Sequence, residues 1–214
     1  MTRVYLEQGR TKIVACALDW PGWARIGTTE DKAVATLSAY TGRYRRIAAD
    51  AGLSFDPDPV EIVETVTGVN TTDWGAPGVP VAEDSLPYTT TAAHRTAAIL
   101  RTAWLVLDDL ARSAPEILPK GPRGGGRDRD EIVAHVIDSE RTYARKIGIR
   151  HRSFAADDRT ARSALRTAIL DVLGNPADGA PLTTGGWPPA YAARRFSWHV
   201  LDHVWEIEDR AEPA

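Results

Sequence analysis

Five histidines stand in this chain of 214 residues, and three of them have the type and spacing to do chemistry. His199 and His203 lie four apart in the stretch RRFSWHVLDHVWEIEDR. On a helix this spacing puts both imidazoles on one face, with Cβ atoms about 6 Å apart, near enough to meet one ion. Ordinary amphipathic helices meet the same spacing, so the neighbours decide. Phe196, Val200, Val204 and Ile207 repeat at helical intervals, and the two histidines share or border that apolar stripe. Their rings are therefore expected to face inward, where an unpaired buried nitrogen costs about 1–3 kcal/mol. His135, in EIVAHVIDSE on another expected helix, can supply the missing partner. Three imidazoles from two facing helices, with coordination positions left open, form the donor set of a catalytic divalent metal. Asp138, Asp202 and Glu206 are placed to orient the rings. For a hydrolytic reaction, Glu140 or Glu206 is the candidate general base. His94, near the start of an earlier helix, and His151, in a basic stretch, are not expected to be ligands.

The second half of the chain reads as the helices that hold these residues. TTTAAHRTAAILRTAWLVLDDLARS, Thr89 to Ser113, keeps Ala93, Ala97, Leu100, Trp104, Leu107 and Leu110 on one stripe. A break rich in proline and glycine, APEILPKGPRGGGRDRD, ends it. The helix carrying His135 follows, with Asp128 and Glu131 spaced as a capping box and Ile132, Val136, Tyr143 and Ile147 on one face. Asp157 to Gly174 is a third helix, capped by Asp157 and stopped by Gly174. Pro188 and Pro189 start a fourth, running to about Arg210. Trp187, just before it, is placed to line the mouth of the site. Four amphipathic helices with intervening loops predict an up-down four-helix bundle over residues 89–214.

The first half differs. RVYLEQG and KIVACALD are short strand-like runs around a turn containing Gly9. PGWARIG offers a turn and a third strand. A single helix is expected from Thr28 or Thr29 to Gly52, with Ala33, Leu37, Tyr40, Tyr44 and Ile47 in register. Val60 to Val69 alternates as a strand, and residues 76–88 read as a linker. The fold class is α+β: a small α/β module over residues 1–75, followed by the helical domain.

Composition narrows the function. The chain carries 26 Lys and Arg against 29 Asp and Glu, a formal charge of −3, and neither half has the basic excess of a phosphate-tracking domain. Arg43, Arg45 and Arg46, and the cluster from Arg141 to Arg152, read as solvated helix faces. No nucleic acid is expected as a partner. The opening residues lack a signal-peptide core, and no apolar run reaches the roughly 18 residues of a membrane span. The single cysteine, Cys16 in KIVACALDW, excludes an internal disulfide and reads as a small buried strand residue. A soluble cytoplasmic protein acting on a small molecule, with no membrane partner, is the expectation.

The histidine pattern resembles the DinB-like superfamily, which includes mycothiol-dependent maleylpyruvate isomerase and bacillithiol-transferase-like proteins. The resemblance rests on His135 in EIVAHVIDSERTYARKIGI and on His199 and His203 in ARRFSWHVLDHVWEIEDR. It implies a four-helix bundle binding a divalent metal, zinc or nickel, through these three residues. It also implies thiol-dependent transfer or isomerisation with a low-molecular-weight thiol such as mycothiol. Metal-dependent hydrolysis and a non-catalytic regulatory protein with core histidines remain as alternatives. The segment KIVACALDWPGWARIGTTEDKAVATLSAY is similar to a HicB-like domain, although Asp31, Lys32 and Ala33 stand where that family has two acids and an alanine. The module is read as serving packing, a homodimer contact or closure over the substrate site.

Overall fold

The structure is a computed structural model describing residues 1–57, 59–120 and 126–211. Residues 121–125 of the expected proline- and glycine-rich break, and 212–214 at the end of the expected helical domain, lie outside the described residues. Over the described residues the fold is α+β, with a four-stranded mixed sheet and six α-helices.

The strands are β1 (Thr2–Gln8), β2 (Ile13–Ala17), β3 (Ala24–Gly27) and β4 (Val60–Thr67), in the order β3-β2-β1-β4. β1 pairs antiparallel with β2, and β2 with β3. β4 returns parallel to β1, in a register that shifts between Val4 and Tyr5. A parallel return needs a crossover, and helices α1 (Glu30–Ala39) and α2 (Thr41–Asp50) supply it. Both faces of β1 and β2 are covered. Val4, Leu6, Ile13 and Ala15 join the main core, while Tyr5, Val14 and Cys16 pack with Val81 and Trp198. This is why IVACA is apolar throughout rather than alternating.

The expected single helix from residue 28 to 52 is two. Thr29 caps the first, its hydroxyl accepting from Lys32 N–H. The chain turns at Tyr40 (φ −86°, ψ 1°), ahead of Thr41 and Gly42, which favour helix poorly. The turn sets the Tyr40 ring 5.1 Å from that of Trp205, a tertiary contact that local periodicity does not encode.

Residues 70–88 are bound down rather than loose. The buried carboxylate of Glu7 accepts hydrogen bonds from the Thr72 hydroxyl and from the N–H groups of Gly78 and Val79. Two short 3-10 turns, Thr72–Trp74 and Ala82–Ser85, take up the slack.

Four longer helices complete the chain: α3 (Thr90–Ser113), α4 (Arg129–Lys146), α5 (Arg159–Leu173) and α6 (Pro189–Ala211). Thr89 caps α3, and Glu131 accepts from the Asp128 N–H at the start of α4. Asp158, rather than Asp157, caps α5 through Ala161 N–H at 2.9 Å. α6 packs on α3, α4 and α5. One hydrophobic core runs from β1 and β2 through α1 and α2 into all four of these helices.

Candidate metal centre

The site is built on α4 and α6. α4 turns Ile132, Val136 and Ile137 into the core, and its half-buried His135 faces α6. α6 buries the expected stripe, Phe196, Val200, Val204 and Ile207, and also its opposite side, with Trp198, Leu201 and Trp205. A helix with apolar residues on two opposite sides belongs inside a protein. The second side is covered by the N-terminal half. Gly22 (φ +91°) approaches so closely that an added Cβ would lie 2.7 Å from Leu201 Cδ1 and 2.9 Å from the Ser197 carbonyl carbon. The Arg25 guanidinium lies over the Tyr40 and Trp205 rings, at 3.9 and 4.1 Å, and donates to Asp202 at 2.7 Å.

These elements bring His135, His199 and His203 together. One nitrogen from each lies within 4.8 Å of the others. Their ring centroids are 4.7–5.0 Å apart. His199 Nε2 faces His135 Nε2 at 3.2 Å. His203 Nδ1 donates to Glu206 Oε2 at 2.7 Å, which fixes the tautomer and leaves the His203 Nε2 lone pair free to act as a ligand. Glu206 Oε1 accepts from Arg210 Nη1 at 2.9 Å. Arg210 also donates to the Pro119 and Arg127 carbonyls, tying α6 to the segment before α4.

The electrostatics favour neutral rings at His199 and His135. Burial pushes the His199 pKa well below its ordinary value, with the other two histidines and Arg195 acting the same way. His135 is lowered by burial and then by His203 and Arg127. Burial alone would raise Glu206, but its bonds to His203 and Arg210 hold it below the usual carboxylate range. His199 Nδ1 is buried with no hydrogen-bond partner among the described residues. A histidine kept for packing is normally satisfied on both nitrogens, and here His199 finds only another imidazole. Three imidazole nitrogen donors, one of them oriented by a carboxylate, fit a divalent metal of borderline softness.

The other expected residues have different surroundings. Glu140 is buried in contact with α3 and α5, bonded to Trp104 Nε1 at 2.6 Å and Arg166 Nε at 3.2 Å. It lies five residues on from His135, about 140° around the helix. Of the three acids expected to orient the rings, Glu206 alone does so. Asp202 is taken by Arg25, and Asp138 pairs with Arg141 one turn away. His94 is exposed, and His151 stacks edge-on against Phe154. Trp187 reaches the site indirectly, packing on Tyr143, which in turn contacts His199. Arg210 and Arg195 were not singled out from sequence. The spacing of Glu206 and Arg210, four apart on a helix, is a signal for the first. Arg195 stacks on Tyr143 and Trp198, a contact between α6 and α4 that no local pattern announces.

No family model matches this chain, and comparisons with curated proteins and with solved structures give no significant match.

Proposed function

We propose that this protein binds one divalent metal ion, zinc or nickel, through His135, His199 and His203. We further propose that it works as a metal-dependent thiol S-transferase or isomerase on a small molecule. On this reading α3–α6 form an up-down four-helix bundle of the DinB-like kind, and residues 1–75 are a HicB-like module. The observation that carries the reading is the convergence of three imidazoles from two helices, with the buried His199 finding no partner but a second histidine.

A bound ion would supply Lewis acidity and hold a low-molecular-weight thiol as its thiolate at neutral pH. The chain's own residues divide the remaining work. Glu206 keeps the proton of His203 on Nδ1. Arg210 fixes Glu206. Tyr143 and Trp187 provide an aromatic wall beside His199 that keeps water from that side. Cys16 does not supply the sulfur, because it is buried in the sheet and burial pushes its thiol up to about 12. That supports an external thiol as nucleophile. Glu206 is already engaged by two partners and Glu140 lies with α3 and α5, so neither position favours the hydrolytic alternative. Among the described residues no helix is long and apolar enough to cross a membrane; a cytoplasmic location is part of the proposal.

The test is metal analysis of protein purified without added zinc or nickel. About one ion per chain is expected, lost in His199→Ala and His203→Ala, with a chelator lowering the melting temperature of the parent only. Protein without stoichiometric metal, and indifferent to chelator, would refute the assignment. Thiol transfer to a model electrophile, present in the parent and lost in His203→Ala, separates the enzyme from a metal-binding scaffold.

A further inference from the structure

A second site lies on the far side of α4 from the histidines, between α3 and α5. The two helices run antiparallel. Gly174 is set against Ala97, and Arg162 and Arg166 against Asp108. A cleft of about 330 Å³ opens along their junction. Its floor is the Trp104 ring, with the Arg166 guanidinium 5.0 Å from the ring centroid. Both residues are more than nine-tenths buried. Arg166 is locked from beneath by Glu140 and from the side by both oxygens of Asp108 at 3.2 Å. Leu105 and Leu170 form apolar walls, and Leu105 is 69% exposed, a large hydrocarbon surface left open at the rim.

The charge around this apolar floor is uneven. Arg101, Arg159, Arg162 and Arg166 line the cleft, and Asp108 is the single acid among its lining residues. Asp108 is consumed by Arg166, with Arg162 more distant at 3.7 Å. Arg159 has no ion pair among the described residues. Arg159 and Arg162 are three apart in the first turn of α5, so both guanidiniums project from one face. The positive end of that helix adds to their field.

We propose that the cleft binds a small carboxylate with a hydrocarbon body. The carboxylate sits between Arg159 and Arg162, and the body lies on Trp104, Leu105 and Leu170. Guanidinium forks match a carboxylate in geometry as well as charge. The site uses neither the histidines nor Glu206, so it stands whether or not the metal reading does.

The experiment is a titration of the full chain with octanoate, followed by the indole N–H resonance of Trp104. It is run on His203→Ala, to keep carboxylate away from the histidines. Saturable one-site binding is expected, weaker by about tenfold or more for 1-octanol, which lacks the charge, and weaker again for acetate, which lacks the apolar body. Arg159→Gln combined with Arg162→Gln should cost about tenfold or more, whereas Arg112→Gln, an exposed arginine of α3 outside the cleft lining, should leave affinity nearly unchanged. Arg159 is exposed and the Arg162 side chain is 17% exposed, and an unchanged melting temperature checks that the double variant is folded. Octanol binding as tightly as octanoate, the absence of saturation at millimolar octanoate, or full affinity in the double variant would each overturn the proposal.

Discussion

Glu206→Gln is the sharpest probe of the metal centre, because it changes one oxygen and leaves the three histidines in place. Glu206 accepts the Nδ1 proton of His203 at 2.7 Å and is braced by Arg210 at 2.9 Å. A neutral amide in its place is a weaker acceptor. It lowers the basicity of the His203 ring and can turn its NH2 toward the imidazole. Loss of such a partner typically weakens metal affinity by about 10- to 100-fold, which is about 1.4–2.7 kcal/mol. The same substitution does little to the metal-free protein. The pair with Arg210 is about a third exposed on the Glu206 side, and such a pair is worth about 0–1 kcal/mol. The predicted signature is therefore a split. Competition against a chromophoric chelator should show the affinity loss, while urea midpoints of the metal-free parent and variant stay close. With metal in large excess over both dissociation constants, the stabilisation conferred by metal should fall by the same 1.4–2.7 kcal/mol or so. Equal losses with and without metal would show that Glu206 only holds α6 together. An affinity within about twofold of the parent would refute its role on His203.

Three further outcomes are expected. The metal-free protein should lose stability in mild acid: His135 and His199 have folded pKa values below the unfolded 6.5, so the unfolded chain binds more protons once the pH drops below about 6.5. The contribution of these neutral rings is complete above that pH and is lost as pH falls through the folded values. Urea midpoints that stay flat from pH 7.5 to about 5 would contradict it. Glu140→Ala should destabilise the fold by about 2–4 kcal/mol, because it leaves the buried Arg166 with Asp108 alone and the buried Trp104 Nε1–H unpaired, yet leave one metal per folded chain; loss of metal without loss of stability would return Glu140 to the site. Gly22→Ala should cost about 1–3 kcal/mol, from its left-handed backbone and its collision with Ser197 and Leu201, and a melting temperature equal to the parent's would mean that the turn and α6 are not in close contact.

The parts legible in the sequence are those whose cause is local. Thr89, the Asp128–Glu131 box and Gly174 mark helix ends because a cap is formed within a few residues of itself. The histidine cluster was legible for a related reason: a four-residue spacing on one helix, plus one inward histidine on another, leaves few arrangements. What escaped depends on partners far along the chain. Glu7 reads as one more acid in a short strand, and only the segment 72–79 folding over it explains its burial. Asp202 looks like an orienting acid for its neighbours until Arg25, 177 residues earlier, claims it. The turn at Tyr40 exists for a contact with Trp205, and the burial of α6 on its second side follows from the N-terminal half lying against it.

The enclosure of α6 also bears on how the molecule is made. Residues 189–211 supply two of the three imidazoles, the acid that orients one of them, and much of the central core. They also follow every other described element in the chain, and so emerge after all of them during synthesis. Until they arrive, β1–β3, α3 and α4 each hold an apolar face with nothing to close it, and His135 has no companions. On the proposed reading, metal capture would wait until α6 has emerged, and a nascent chain stalled before residue 199 could neither assemble the three-histidine site nor bury its core. On the same proposed reading the ion's site is complete only once the core has closed, so metal would add stability to a chain already folded, and intracellular metal supply would act on how long that chain survives.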